Sequence, residues 1–385
     1  MTDPIRRVLA AAAAVATVVG CAHATEPELR AGQLLTARPL TTVAALPSAD
    51  NRLITYVSDD SAGEPIVVSG TVSVPKSEPP EGGWPVINWA HGTTGYADTC
   101  APSAATADGL IQDYVQLVRP MLDRWVARGF AVVQTDYQGL GTPGGHPYVD
   151  GVSESNTVTD IVRAARHLDP GIGTAWVVLG HSQGGQAALF AAHDGPDRDP
   201  DLRLLGAVAM APGGVDMGAT VDLLRAGDPG VEVAQRFVPL LVLGAAVVDP
   251  SVDPDQIFTT RARPLLTTAR NECLAQLNVV PTIPASQVLA PDADVRGLLA
   301  YLDRQDPLQL TPRVPVLIAQ GTEDVAVNPV GVDKLAKALC GKGVDVDYNT
   351  YPGKDHRGVI AAAEVTVKDF VDAVMDGRSP ENCPR

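Results

Sequence analysis

Apolar positions along this chain follow two periods, and the two alternate. Residues 53–57 and 66–74 alternate or run with β-branched side chains, the pattern of strands, and the polar stretch 59–63 between them reads as a hairpin connection. Residues 85–90 (PVINWA) form a short buried run that enters the loop His91-Gly92-Thr93-Thr94-Gly95. Helical spacing follows over 114–128 and stops at Gly129, and 130–136 (FAVVQTD) is the next strand. An amphipathic helix over 156–168, a buried strand over 175–179, a small-residue helix over 183–193 and a strand over 204–210 continue the rhythm. Strands alternating with helices predict an α/β fold with a mostly parallel sheet covered on both faces.

The rhythm stops near residue 213 and returns with the strand 315–320 (PVLIAQ). A helix over 329–339 follows, with Asn328 as its N-cap and Pro329 at the first helical position. A strand over 344–351 and one long terminal helix over 359–375 complete the chain. Between these blocks lie helical stretches and many prolines without βα alternation. Residues 213–310 are therefore expected to be a helical cap inserted between two sheet strands. The core is then made of 25–212 and 311–385.

The first 24 residues read as an export signal rather than as fold. Arg6 and Arg7 precede an apolar, Ala-rich run over 8–19, shorter than the roughly 20 residues a bilayer span needs. Ala22-His23-Ala24 offers cleavage before Thr25. Val18-Val19-Gly20-Cys21 instead resembles a bacterial lipoprotein box, with Cys21 lipidated and the protein held at a membrane surface. Either exit puts the mature protein outside the cytoplasm, secreted or anchored to the cell envelope.

Composition narrows the partners. Hydrophobic residues make up 45% of the chain and charged ones 19%, enough for a sizeable core. Lys and Arg number 29 against 45 Asp and Glu, a net charge of -16 with no compact basic run, which excludes nucleic acid as a partner. Beyond Cys21 stand Cys100, Cys273, Cys340 and Cys383, with no C-x-x-C spacing. Four such cysteines in an exported chain read as two disulfides and not as a zinc site, with three pairings open.

Candidate chemistry begins at Gly180-His181-Ser182-Gln183-Gly184, a G-x-S-x-G between a strand and a helix. That context suits a nucleophile on a strained turn; the bland alternative is a glycine-rich βα turn with an ordinary serine. A serine nucleophile needs a base, an orienting acid and two oxyanion donors. Among seven histidines, His356 in Gly353-Lys354-Asp355-His356-Arg357-Gly358 stands in a loop between the last strand and the last helix, where a base is expected. The acid is expected in Gly321-Thr322-Glu323-Asp324, just past the preceding strand, as Asp324 with Glu323 the competitor. The order Ser182, Asp324, His356 is that of the α/β-hydrolase fold. The oxyanion donors are expected to be the backbone N–H of Gln183 and that of Thr93, with Gly92 the alternative to Thr93.

The stretches AHGTTGYADTCAPS (90–103), DYQGLG (136–141), GHSQGG (180–185), GTED (321–324) and YPGKDH (351–356) together resemble the secretory lipase, or lipase-A-like, family of α/β-hydrolases over essentially the whole mature chain. The resemblance implies an α/β-hydrolase fold with an inserted helical cap. It implies carboxylic-ester hydrolysis by Ser182, Asp324 and His356 on a small-molecule or lipid ester, with oxyanion donors at Thr93 and Gln183 and neither metal nor cofactor. Together with the cap placement it implies that Cys100 pairs with Cys273 and Cys340 with Cys383. A decoy sits at 139–144, where GLGTPG matches G-x-G-x-x-G after a strand. A dinucleotide fingerprint opens directly into a helix, whereas Pro143 and residues 145–148 prolong this loop, so it reads as a wall of the active site. Two rival readings use the same residues: a peptidase or acyltransferase on the same triad, and a catalytically silent cell-envelope binding module.

Overall fold

The computed structural model describes residues 29–380 and 382–383. The signal segment, Cys21 and the expected cleavage before Thr25 lie outside the described residues. The described chain builds one nine-stranded sheet from β1 (Leu34–Pro39), β2 (Ala49–Asp59), β3 (Pro65–Pro75), β4 (Trp84–Ala90), β5 (Ala131–Thr135), β6 (Ile172–His181), β7 (Arg203–Met210), β8 (Val316–Gly321) and β9 (Val346–Tyr351), in the order β1-β2-β3-β5-β4-β6-β7-β8-β9. The first three strands and the β3–β5 pair are antiparallel, and from β5 onward every pair is parallel.

Helices cover both faces. One face holds α2 (Gly151–Leu168), α3 (Gln183–Arg198) and α8 (Pro329–Gly341); the other holds α1 (Gln112–Ala127) and α9 (Glu364–Met375). Central strands read as unbroken apolar runs because both of their faces are buried. Val86 and Ala90 of β4 pack on the α2–α3 side, while Ile87 and Trp89 pack on the α1–α9 side. Trp176 and Val178 are likewise opposed to Val177 and Leu179 in β6. Burying each such large apolar side chain contributes roughly 1.5–3 kcal/mol.

Between β7 and β8 the chain leaves the sheet. It forms α4 (Met217–Ala226), α5 (Val238–Val248), α6 (Arg263–Asn271) and α7 (Arg296–Arg304), with short helical turns between them. These helices close around an apolar cluster of their own, including Val221, Leu241, Leu265, Leu298 and Tyr301, which also takes in Tyr148 and Val149 from the core. No single helix among the described residues is long and apolar enough to cross a membrane. A bent pair, Pro229–Arg236 with α5, meets that test by length and composition, but α5 is buried from Val238 to Ala245.

Three elements depart from the sequence reading. β1 is absent from the elements expected from sequence; it is a largely exposed edge strand with little apolar alternation to betray it. Helix α2 begins five residues before 156, because its first turn buries small polar residues such as Ser153 and Ser155 and is capped by Asp150, whose side chain accepts Ser153 N–H. The terminal helix over 359–375 is two helices, Gly358–Ala362 and α9, meeting at Ala363. The C-terminal tail is fastened by a Cys340–Cys383 disulfide, with Cα atoms 6.0 Å apart, beside a bridge between Asn382 and Asp347 of β9.

Candidate active site

The C-terminal ends of β4, β6, β7, β8 and β9 lie side by side, and the chemistry-bearing residues all stand just beyond them. In the register, Gly180 of β6 faces Ala90 of β4 and Ala209 of β7, so the turn at Ser182 emerges between the loops that leave those strands. Ser182 has φ 59° and ψ −119°, a conformation that L residues rarely adopt and that costs about 1–3 kcal/mol. The turn is held by its backbone: Ser182 N–H donates to Met210 C=O (2.9 Å), and Ser182 C=O accepts Gly213 N–H (3.0 Å). It is also possible only with glycine on both sides. A Cβ on Gly180 would meet Gly184 O at 1.8 Å, and one on Gly184 would meet Ala90 O at 1.9 Å.

β8 and β9 bring the other two side chains together. His356 Nδ1 donates to Asp324 Oδ2 at 2.8 Å. The Asp324 carboxylate also accepts Ala326 N–H and Val327 N–H on Oδ1, each at 2.8 Å, and Gln320 Nε2–H on Oδ2 at 3.2 Å. Burial alone would raise the pKa of Asp324, but the His356 bond and charge and the two backbone N–H groups outweigh it and hold the carboxyl below its ordinary range. Glu323, its neighbour, is exposed. His356 and Ser182 line one cavity of about 370 Å³, whose other walls are mostly apolar, with Met217, Val231, Phe237, Leu241 and Val332 among them.

The loop after β4 separates the two oxyanion alternatives. Gly92 N–H is already used, donating to Tyr114 Oη at 2.6 Å. Thr93 N–H has no protein partner among the described residues. The Thr93 side chain is anchored by a 2.8 Å bond between its Oγ1 and Tyr148 Oη. Gln183 N–H is the first amide of α3, one of the donors that a helix start leaves without an intrahelical acceptor. A Cys100–Cys273 disulfide, with Cα atoms 5.5 Å apart, joins this loop region to the helical segment, and Leu274 N–H donates to Thr94 C=O beside it. Asp136 pins the segment that follows Cys100, accepting Ser103 Oγ–H, Ser103 N–H and Ser69 Oγ–H.

Two buried networks support these residues, and sequence reasoning found neither. In the first, Gln183 Nε2 donates to His146 Nε2 (2.9 Å) and Glu154 Oε1 (2.7 Å), while His146 Nδ1–H donates to Gln138 C=O. Burial lowers the His146 pKa to about 3, so the ring is neutral, as acceptance of the Gln183 N–H at Nε2 requires, and burial pushes the Glu154 pKa well above its ordinary value. In the second, Tyr114 O–H faces His181 Nδ1 at 3.3 Å and His181 Nε2–H donates to His356 C=O at 2.8 Å. Burial, then the nearby His356, lower the His181 pKa to about 3. The only signal for the first network was Asp150 as a cap, which would have moved the start of α2 forward and placed Glu154 on it. The loop 139–145 opens no helix and folds on itself, since a Cβ on Gly139 would meet Gly145 O at 1.8 Å; contrary to the expectation of an active-site wall, none of its residues lines the cavity of Ser182 and His356.

A family model described as Serine aminopeptidase, S33, matches residues 107–359. The chain belongs to this family. Its fold is that of a lipase-A-like α/β-hydrolase. The matched span carries Ser182, Asp324 and His356 and leaves out Thr93. Among curated relatives, a probable inactive lipase of Mycobacterium tuberculosis (strain CDC 1551 / Oshkosh) is 27% identical over 321 residues, 76% of this chain and 66% of the relative, so the chain spans just under two thirds of that protein. Lipase A of Moesziomyces aphidis is 22% identical over 374 residues, 91% of this chain and 78% of the relative. Among solved structures, Candida antarctica lipase A in its closed state superposes with TM-score 0.76 at 18% identity, covering 92% of this chain and 84% of that one. The rice cell wall degrading esterase LipA from Xanthomonas oryzae, in a ligand-bound form, gives TM-score 0.69 at 20% identity, covering 91% and 100%. At such identities the two structures speak for the fold alone.

Proposed function

We propose that this member of the hydrolase family is an exported serine carboxylic-ester hydrolase acting through Ser182, Asp324 and His356. The reading is carried by the 2.8 Å bond from His356 Nδ1 to Asp324 Oδ2, made beside the cavity that His356 shares with the strained Ser182. With Nδ1–H committed to Asp324, the other ring nitrogen is the base. It takes the Ser182 proton as the serine oxygen bonds to the ester carbonyl carbon, and Asp324 stabilises the imidazolium. The negative charge on the carbonyl oxygen is met by the N–H groups of Thr93 and Gln183, each worth about 3–4 kcal/mol. His356 returns the proton to the alcohol oxygen as the C–O bond breaks, leaving an acyl group on Ser182. Water, deprotonated by His356, then attacks the acyl carbon and frees the acid and the serine. No metal or cofactor takes part in these steps.

The apolar lining of the cavity supports a hydrocarbon acyl chain. The helical segment 213–310 is read as a cap that supplies much of that lining and keeps water out. Lipase and esterase names among the relatives and fold neighbours support ester chemistry, on a small-molecule or lipid ester. Two disulfides support export, since such bridges persist in oxidising compartments. The signal-like residues 1–24 agree, by cleavage before Thr25 or by lipidation at Cys21 and attachment at a membrane surface.

A second reading has specific support: the family's description as a serine aminopeptidase favours amide hydrolysis by the same three residues. A third, a silent module, takes its support from the relative described as a probable inactive lipase. A panel of p-nitrophenyl esters from acetate to palmitate, run beside amino-acid p-nitroanilides on mature protein and on S182A, separates the three. Ester turnover that S182A abolishes, without anilide turnover, is the expected result. Anilide turnover in preference to ester turnover would favour the peptidase, and no turnover of either the silent module.

A further inference from the structure

His356 borders two cavities. The first, with Ser182, is walled mostly by apolar residues and holds no Asp, Glu, Lys or Arg among them. The second, of about 300 Å³, reaches His356 without Ser182; its walls include apolar residues such as Leu110 and Phe237, the carboxylates Asp113 and Asp355, and the two guanidinium groups of Arg236 and Arg357. On the ester-hydrolase reading, on which this inference rests, the alcohol oxygen must receive its proton from His356. His356 lines both cavities, so with the acyl chain in the first, the second is open to the alcohol fragment.

Arg236 distinguishes that second cavity. It is half-buried, burial depresses its pKa, and its Nε has no hydrogen-bond partner. Among the described residues no carboxylate pairs with it, and its guanidinium lies over the Phe237 ring, 5.1 Å from the centroid. Its neighbours are otherwise engaged: Arg357 pairs with Asp113 at 2.7 Å, and Asp355 Oδ1 accepts Gly358 N–H. A partly desolvated guanidinium without a counter-charge is costly to the fold. The net charge of -16 acts at a distance and is screened beyond about 8–10 Å at physiological salt, whereas contact in the cavity is not.

We propose that the second cavity is a leaving-group subsite in which Arg236 binds an anionic oxygen group, a carboxylate or a phosphate, carried by the alcohol part of the ester. The planar fork of the guanidinium matches either group, and charge-assisted bonds of this kind are the strong ones. The enzyme then prefers esters that are apolar on the acyl side and anionic on the alcohol side.

The test uses two esters with one acyl group: 4-carboxyphenyl butanoate and its methyl ester. The ratio of kcat/KM on the first to kcat/KM on the second is expected to fall about tenfold to a hundredfold in R236M, and less in R236K, while R203M, at the opposite end of β7, leaves it unchanged. Calorimetric titration of S182A protein with 4-hydroxybenzoate and with phenyl phosphate gives a readout free of turnover. Binding of one or both, weakened at least tenfold by adding R236M, supports the subsite, and the tighter of the two names the group. If neither ester is hydrolysed, the ester reading fails and the titrations still decide the subsite. A ratio equal in wild type and R236M, or equal binding to S182A and S182A/R236M, overturns the proposal.

Discussion

Replacing Asp324 by Asn keeps the shape of the side chain and removes its charge, and the surrounding bonds determine which way the amide must point. Oδ1 accepts two backbone N–H groups, from Ala326 and Val327, each at 2.8 Å. Placing the amide nitrogen there would break both bonds and leave two buried donors without acceptors, at about 1–3 kcal/mol each. The amide oxygen therefore takes the Oδ1 position and the nitrogen faces His356. A donor now sits where Oδ2 accepted Nδ1–H at 2.8 Å, so the imidazole must carry its proton on Nε2. That tautomer cannot take the Ser182 proton. Reaching the working arrangement costs the two backbone bonds, about 2–6 kcal/mol together, or roughly 30-fold to 10⁴-fold in rate. Loss of the charge that stabilises the imidazolium pushes the effect to the upper end, on the order of 10⁴ in kcat. KM should change less than about threefold, because Asp324 lies behind His356 and touches no substrate. Steady-state hydrolysis of a p-nitrophenyl ester by D324N reads both constants, with E323Q, an exposed position, as the comparison. A kcat for D324N within tenfold of wild type, or a larger loss in E323Q, would refute the reasoning.

Three further outcomes follow from the same structure. Glu154 accepts a Gln183 N–H and burial pushes its pKa up, so E154Q, which keeps the acceptor, should keep kcat within about threefold, whereas E154A leaves a Gln183 donor unsatisfied and should lose roughly 1–3 kcal/mol in urea unfolding; equal losses in the two variants would contradict the role of this bond. His181 is neutral in the folded state down to about pH 3, while the unfolded chain protonates it near its ordinary 6.5, so the stability associated with the neutral ring is present above about pH 6.5 and is lost as the pH falls towards 3; H181Q should flatten the pH slope of stability between pH 4 and 6 by about 1.4 kcal/mol per pH unit, and an unchanged slope would mean that the ring charges when folded. The Cys100–Cys273 bridge closes a separation of 173 residues and Cys340–Cys383 one of 43, so chain entropy puts their removal at roughly 5 and 4 kcal/mol at most; C100S/C273S should also lower kcat by loosening the Thr93 loop, and thermal unfolding with ester kinetics would show a failure as a drop in stability without a drop in kcat.

Much of the sheet was legible because doubly buried strands such as β4, β6 and β8 are near-continuous apolar runs, and Thr93, Ser182 and Asp324 each stand a few positions past one of them, whereas His356 follows the half-buried, polar β9. β1 was hidden because an exposed edge strand needs no apolar pattern. The first turn of α2 was hidden because its burial is polar: Ser153 bonds Asp150 and Gln138, and Glu154 bonds Gln183, where a hydrophobic face would have announced itself. The choice between Gly92 and Thr93 depends on Tyr114, 22 residues away in sequence, whose hydroxyl takes the Gly92 N–H. Glu154 and His146 reach Gln183 only because the sheet folds α2 and the 138–148 loop over the start of α3. Arg236 stood out in no pattern, since what marks it is the carboxylate it lacks, and pairing is visible only in three dimensions.

The central claim is that Ser182 is the activated nucleophile. Incubation of the mature protein with a fluorophosphonate, followed by intact-mass measurement and peptide mapping, tests it directly. The account predicts one label per chain, on the peptide containing Ser182, lost in S182A and slowed strongly in D324N. A label at another residue, or ester hydrolysis that persists in S182A at the wild-type rate, would contradict it.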